Sequence, residues 1–111
     1  MSQYEQYFGA APAFIEKYCK ENPAKINEVS QVFYERTKDR ALLSKAEKWM
    51  RKSVQLDDAY NSNILLAGIL IQMDEKVEAQ RVIHHSIELA AQKNISNRSA
   101  MLLLDKCETM H

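Results

Sequence analysis

Two stretches decide the fold: Lys45-Ala46-Glu47-Lys48-Trp49-Met50-Arg51-Lys52-Ser53-Val54-Gln55-Leu56 and Glu78-Ala79-Gln80-Arg81-Val82-Ile83-His84-His85-Ser86-Ile87-Glu88-Leu89. Laid over each other at an offset of 33 residues, they match in character at nine positions. Small residues coincide at 46/79 and 53/86, and large apolar ones at 49/82, 50/83, 54/87 and 56/89. Basic or polar residues coincide at 48/81, 51/84 and 52/85. Within the first copy, Leu42, Ala46, Trp49, Met50, Ser53 and Val54 fall on one face at the period of an α-helix. Ala46 and Ala79, with Ser53 and Ser86, permit close approach where one helix crosses its neighbour.

Working outward, each copy is preceded at the same distance by another apolar segment, Phe33-Tyr34 before Ala46 and Leu66-Ala67 before Ala79. The repeating unit is therefore helix, short turn, helix. Asn22-Pro23 starts the helix that carries Ile26, Val29, Val32, Phe33 and Thr37, with Asn as N-cap and Pro at the first helical position. Asp39 caps the next helix, and Asp57-Asp58 closes it and can cap the fourth. The run Ile64 to Ile71 is apolar all round, and no second strand-like segment exists to pair with it, so it reads as a buried helix. Asp74 is assigned as N-cap of a fifth helix burying Val77, Ala79, Val82, Ile83, Ser86, Ile87 and Ala90. Asn94 stops that helix, and Ser96 caps a last one with Leu102, Leu103, Cys107 and Met110 for packing. Ahead of these, Pro12 sits in a first turn followed by Phe14, Ile15, Tyr18 and Cys19, while residues 1–10 read as a lead-in without regular structure. The expectation is an all-α fold of about six helices in antiparallel pairs, one domain over residues 11–111.

Composition agrees. Only two Gly and two Pro leave little turn material for a sheet protein. Lys plus Arg and Asp plus Glu both total 15, so the chain lacks the global positive excess that phosphate neutralisation requires, and nucleic acid is not the expected partner. A local surplus between Lys38 and Lys52, six basic residues against two acidic, reads as a solvated helix face. The longest apolar stretch has eight residues, Ile64 to Ile71, against roughly 20 for a membrane span. Met1 to Tyr7 lacks the charged and apolar regions of a signal peptide.

The 33-residue period resembles that of tetratricopeptide repeats. The segment from Asn61 to Leu89 is similar to one such repeat, with Leu66, Ala67, Leu70, Ala79, Ile83, Ser86 and Leu89 at the signature positions. Asp74 stands where that family usually has Gly, and no Pro follows Leu56 or Leu89. The first copy places Phe33, Tyr34, Ala46, Met50, Ser53 and Leu56 similarly. The resemblance implies a tetratricopeptide-like α-α superhelix whose first helices line a concave groove for a protein or peptide. Gln31, Glu35, Lys38, Asn61, Ile64, Gly68 and Ile71 would line it. With barely two repeats, the chain's own first or last helix is expected to fill that groove, the alternative being an apolar partner, and an exposed Ile64/Ile71 face could also drive homodimerisation.

A narrower resemblance rests on Ile26-Asn27, Phe33-Tyr34-Glu35, Leu43 to Trp49 and Ser53 to Asp57, similar to the helical region that follows a thioredoxin-like domain in certain secreted bacterial proteins. It implies an accessory domain of a thiol-disulfide oxidoreductase whose redox centre lies elsewhere. The compartment follows the reading: cytoplasmic for a complete chain, periplasmic or secreted for an excised domain.

Catalytic motifs are missing: there is no G-x-S-x-G, glycine-rich phosphate loop, HExxH or DxDxDG pattern, and neither an enzymatic activity nor a cofactor is expected. His84 and His85 are adjacent on a helix and diverge by about 100°, a poor chelating pair. Cys107 and His111 have zinc-compatible spacing without further ligands nearby. Cys19 and Cys107 read as buried thiols rather than a bridge, and Trp49 as a core residue.

Overall fold

The computed structural model describes residues 3–109. Among them it has six helices and no strand: α1 (Gln3–Phe14), α2 (Pro23–Arg36), α3 (Arg40–Leu56), α4 (Tyr60–Gln72), α5 (Lys76–Lys93) and α6 (Arg98–Glu108). The all-α architecture read from the sequence is the one observed.

Local chemistry sets most of the boundaries. The Asn22 side chain accepts a hydrogen bond from the Lys25 amide at 3.1 Å, and Pro23 opens α2. Asp39 Oδ1 accepts from the amides of Ala41 and Leu42 at 2.9 and 3.2 Å, capping α3. Asn94 ends α5 in the left-handed conformation, φ 54°, with the Ile95 amide returning to the Ala90 carbonyl at 3.0 Å. Ser96 is not the N-cap of α6, which is Asn97; the Ser96 Oγ instead accepts from the Arg98 amide at 3.2 Å in the turn ahead of the helix. Asp58 caps no helix; its Oδ1 instead accepts from the Asn63 side chain at 2.8 Å.

Four further expectations are corrected. The chain is helical from Gln3, not only after residue 10. Tyr7 and Phe8 anchor this segment on the core, and a stripe of Tyr7, Phe8, Ala11 and Ile15 at helical spacing was masked by the apolar residues around it. Pro12 lies inside α1 rather than at its start, where it withholds a donor, and the winding loosens into a π turn over Ile15–Cys19. Asp74 does not cap α5. It follows Met73, the C-cap of α4, at φ 63°, and the Glu75 amide bonds the Leu70 carbonyl at 2.9 Å while the Asp74 amide bonds the Ile71 carbonyl at 3.0 Å. That pair of bonds is the Schellman closure, which favours glycine at the left-handed position. Asp74→Gly should therefore stabilise the protein by about 0.5–1 kcal/mol by removing the Cβ penalty there. Denaturant titration of both proteins measures it, and an unchanged or lowered midpoint would contradict this account of the turn. Val77, finally, is 78% exposed and not part of the buried side of α5.

Helix α4 is the centre of the packing. It contacts α2, α3, α5 and α6, and ten of its 13 residues are buried, which is why its sequence is apolar on every side. Helices α2 and α3 pack on one another, as do α4 and α5. The short connections 37–39, 57–59 and 73–75 fold successive helices back on each other.

Three of the pairs matched at the 33-residue offset share full burial, whereas Leu56 is exposed and its counterpart Leu89 is buried. Ala46 and Ala79, Met50 and Ile83, and Ser53 and Ser86 are all fully enclosed. The two serines differ in chemistry. Ser86 Oγ donates to the Val82 carbonyl of its own helix at 2.9 Å. Ser53 Oγ donates to Asn27 Oδ1 at 2.6 Å, and Asn27 Nδ2 donates to Ser62 Oγ at 2.8 Å, so a chain of polar groups ties α3, α2 and α4 together.

An aromatic cluster joins the first three helices. The fully buried Phe33 ring meets Phe8 at 4.8 Å, Trp49 at 5.1 Å and Tyr7 at 6.2 Å between centroids, all edge-on. Trp49 is thus packed against the core, as expected. Cys19 and Cys107 are unbridged and buried, and burial pushes the Cys107 thiol pKa up.

Candidate interaction groove

Of the seven residues expected to line a groove, three border one surface depression. Gln31 of α2 and Asn61 and Ile64 of α4 border a depression of about 480 Å³, together with Tyr34 and Leu65 on the same two helices. Its other wall is α6, which contributes Ser99, Leu102, Leu103 and Lys106. The last helix therefore closes one side of the surface and leaves it open at the top.

Docking of α6 follows from its buried side. Ala100 and Cys107 are fully enclosed, Leu103 and Leu104 pack on the core, and the Ala100 amide donates to the Tyr60 hydroxyl at 3.1 Å. Cys107 Sγ adds a contact to the Lys76 carbonyl at 3.6 Å. Tyr60 at the first turn of α4 and Lys76 at the first turn of α5 thereby hold the two ends of α6.

The other four residues lie elsewhere. Gly68 is buried beneath the Tyr34 ring, and Ile71 is only 8% exposed. A Cβ on Gly68 would stand 2.9 Å from Tyr34 Cε1 and Cζ, so the glycine exists to let this ring lie across α4. The Tyr34 carbonyl also accepts from Gln72 Nε2 at 3.1 Å, which fixes this part of α2 over the end of α4. Glu35 is exposed and accepts from Gln31 Nε2 at 2.8 Å, and Lys38 lies in the turn between α2 and α3. Nothing in the first-helix pattern indicated Ser99, Leu102, Leu103 or Lys106. The available signal was α6 itself, whose four successive apolar residues, Met101 to Leu104, exceed what one buried face accommodates.

The Gly68–Tyr34 contact is testable by a double-mutant cycle. Alanine in place of a helix-interior glycine ordinarily gains about 1 kcal/mol, whereas overpacking costs about 1–3 kcal/mol. Gly68→Ala is expected to be neutral or destabilising in the native background and stabilising when Tyr34 is Ala. A coupling energy of about 1–2 kcal/mol between the two sites is predicted. Additive effects would show that the ring does not rest on Gly68.

Some charged side chains on the remaining surface hold helices together. Arg40 donates to the Met73 carbonyl and to Glu75 at 2.9 Å, joining the start of α3 to the turn after α4. Arg51 bridges Glu47 at 2.6 Å and Glu78 at 3.3 Å, and Glu78 also meets Arg81 at 3.1 Å. Part of the basic surplus between Lys38 and Lys52 is therefore spent on contacts between helices. Lys45, Lys48 and Lys52 of that segment are exposed.

His85 Nε2 lies 2.7 Å from Asp58 Oδ2, whereas His84 faces solvent. Partial burial works against the Asp58 carboxylate, but bonds to Asn63 and His85 and the nearby charge of Lys93 outweigh it and hold its pKa below the usual range. Among the described residues no group of three His, Cys, Asp or Glu side chains could hold a metal ion. His111, the other half of the Cys107 spacing, lies outside the described residues. No helix among the described residues is long and apolar enough to cross a membrane.

The chain matches no protein-family model, no curated protein and no solved structure.

Proposed function

We propose that the chain is a non-catalytic, tetratricopeptide-like helical module whose groove between α2, α4 and α6 receives an apolar segment of a protein partner. The observation that carries this reading is the composition of the groove. Tyr34, Ile64, Leu65, Leu102 and Leu103 supply its apolar lining, and Gln31, Asn61, Ser99 and Lys106 supply polar groups. A concave site with an apolar lining and a few polar groups to fix orientation suits recognition of a peptide or helix. The shared burial of three pairs 33 residues apart, Ala46/Ala79, Met50/Ile83 and Ser53/Ser86, is in keeping with the repeat reading that assigns the groove to the first helices of successive pairs. One apolar anchor side chain buried in such a site contributes about 1.5–3 kcal/mol.

Affinity capture from the native source with Ile64→Asp beside the wild type tests this. Ile64 is only partly buried, so the variant is expected to keep its helical circular dichroism. Ile71, almost fully enclosed, would test folding instead. Loss of the specifically captured protein from a folded Ile64→Asp variant is the expected result. Equal capture by both removes the groove from the account.

A further inference from the structure

The outward side of α6 has a pattern that the groove uses only at its edge, through Leu102. At about 100° per residue, Arg98, Met101, Leu102 and Asp105 fall within roughly 100° of arc, on the side of the helix opposite Ala100 and Cys107. Those two residues are fully buried, whereas Met101 is 48% and Leu102 62% exposed. Arg98 and Asp105 are exposed too. Neither makes a side-chain ion pair within the described residues. The stripe therefore reads basic, apolar, apolar, acidic along an unpartnered face.

Such an order is complementary to itself when reversed. Two copies of α6 packed antiparallel about a two-fold axis between residues 101 and 102 place Met101 against Leu102 of the second copy. The same register places Arg98 against Asp105 at one end and Asp105 against Arg98 at the other. Both ion pairs and both apolar contacts form at once, as an isologous interface requires. The two Arg98 residues are seven helical positions apart along the shared axis, roughly 10 Å, so like charges stay separated. We propose that the chain self-associates through this face of α6, with a second copy of itself as the occupant. The stripe shares Leu102 with the groove, whereas Ile64 and Tyr34 play no part in it.

A contact confined to one stripe of one helix falls below the size of a standard interface, so the dimer is weak and concentration-dependent. Its end pairs are exposed and lose strength as salt shortens the range of electrostatic interaction.

Sedimentation equilibrium over about 10 μM to 1 mM at low salt tests the proposal with charge reversals. The wild type should show a reversible monomer–dimer equilibrium, and Arg98→Asp or Asp105→Arg alone should weaken it at least tenfold. An equimolar mixture of the two single variants should dimerise again, since each heterodimer then pairs one acidic stripe with one basic stripe. Ile64→Asp should leave self-association unchanged, which separates this result from the fate of the groove reading. All these substitutions lie at exposed or partly exposed positions, and circular dichroism confirms that each variant is folded. A wild type that is monomeric throughout overturns the proposal and gives the stripe to some other partner. A dimer indifferent to the single reversals, or not restored by mixing them, overturns it equally.

Discussion

Phe33→Ala is expected to destabilise the protein by about 3–5 kcal/mol, the range for removing a buried aromatic side chain. Phe33 has no exposed surface and is the ring on which Tyr7 and Phe8 of α1 and Trp49 of α3 converge. Removing it leaves a cavity at the junction of three helices and deletes three edge-on ring contacts, each contributing about 0.5–1.5 kcal/mol beyond burial. A domain of this kind has about 5–15 kcal/mol of total stability, so the loss takes a large share of it. Chemical denaturation gives the number. Trp49, the only tryptophan in the chain, reports the transition by fluorescence because it lies against the altered site. Phe33→Leu should lose less, since it keeps most of the apolar volume. A cost below about 1 kcal/mol for Phe33→Ala would mean that the three helices do not meet as described.

The second large effect is expected at Asn27. Its side-chain oxygen accepts from Ser53 and its amide donates to Ser62, at 2.6 and 2.8 Å, and both serines are buried. Asn27→Ala leaves two enclosed hydroxyls without this partner, at a cost of about 1–3 kcal/mol for each group left unsatisfied. Ser53 can turn back to a carbonyl of its own helix, as Ser86 does to Val82. The expected total is therefore nearer about 2–3 kcal/mol than the full sum. Removing all three polar groups together, Asn27→Leu with Ser53→Ala and Ser62→Ala, should recover most of the loss. If the triple variant is no more stable than Asn27→Ala, the cost comes from packing and not from orphaned hydroxyls.

Asn22, Asp39 and Asn94 were legible from the sequence because their roles depend on backbone groups within a few residues. The buried face of α3 and the all-round burial of α4 were legible from apolar period and length. The start of α1 was not, because Tyr7 and Phe8 become ordered by Phe33, a partner distant in sequence. Asp74 was misread because aspartate is common both at helix N-caps and in left-handed positions, and only the backbone angle separates the two. Membership of the first helices places Gln31, Asn61 and Ile64 together at one depression. Gly68 and Ile71 do not border that depression, and for Gly68 the reason is the Tyr34 ring lying across α4, which helix membership alone does not reveal. The wall contributed by α6 depends on where a terminal helix docks, which is set by Tyr60 and Lys76 rather than by any motif in α6.

Site-specific photo-crosslinking in the native source tests the central claim, that a protein partner enters the groove between α2, α4 and α6. A photoreactive residue at Asn61, exposed at the groove, is compared with one at Lys45, exposed on α3 away from it. The account predicts an adduct to a protein other than the chain itself from position 61 alone, lost when Ile64→Asp is introduced. The same adduct from position 45, or none from position 61, would contradict it.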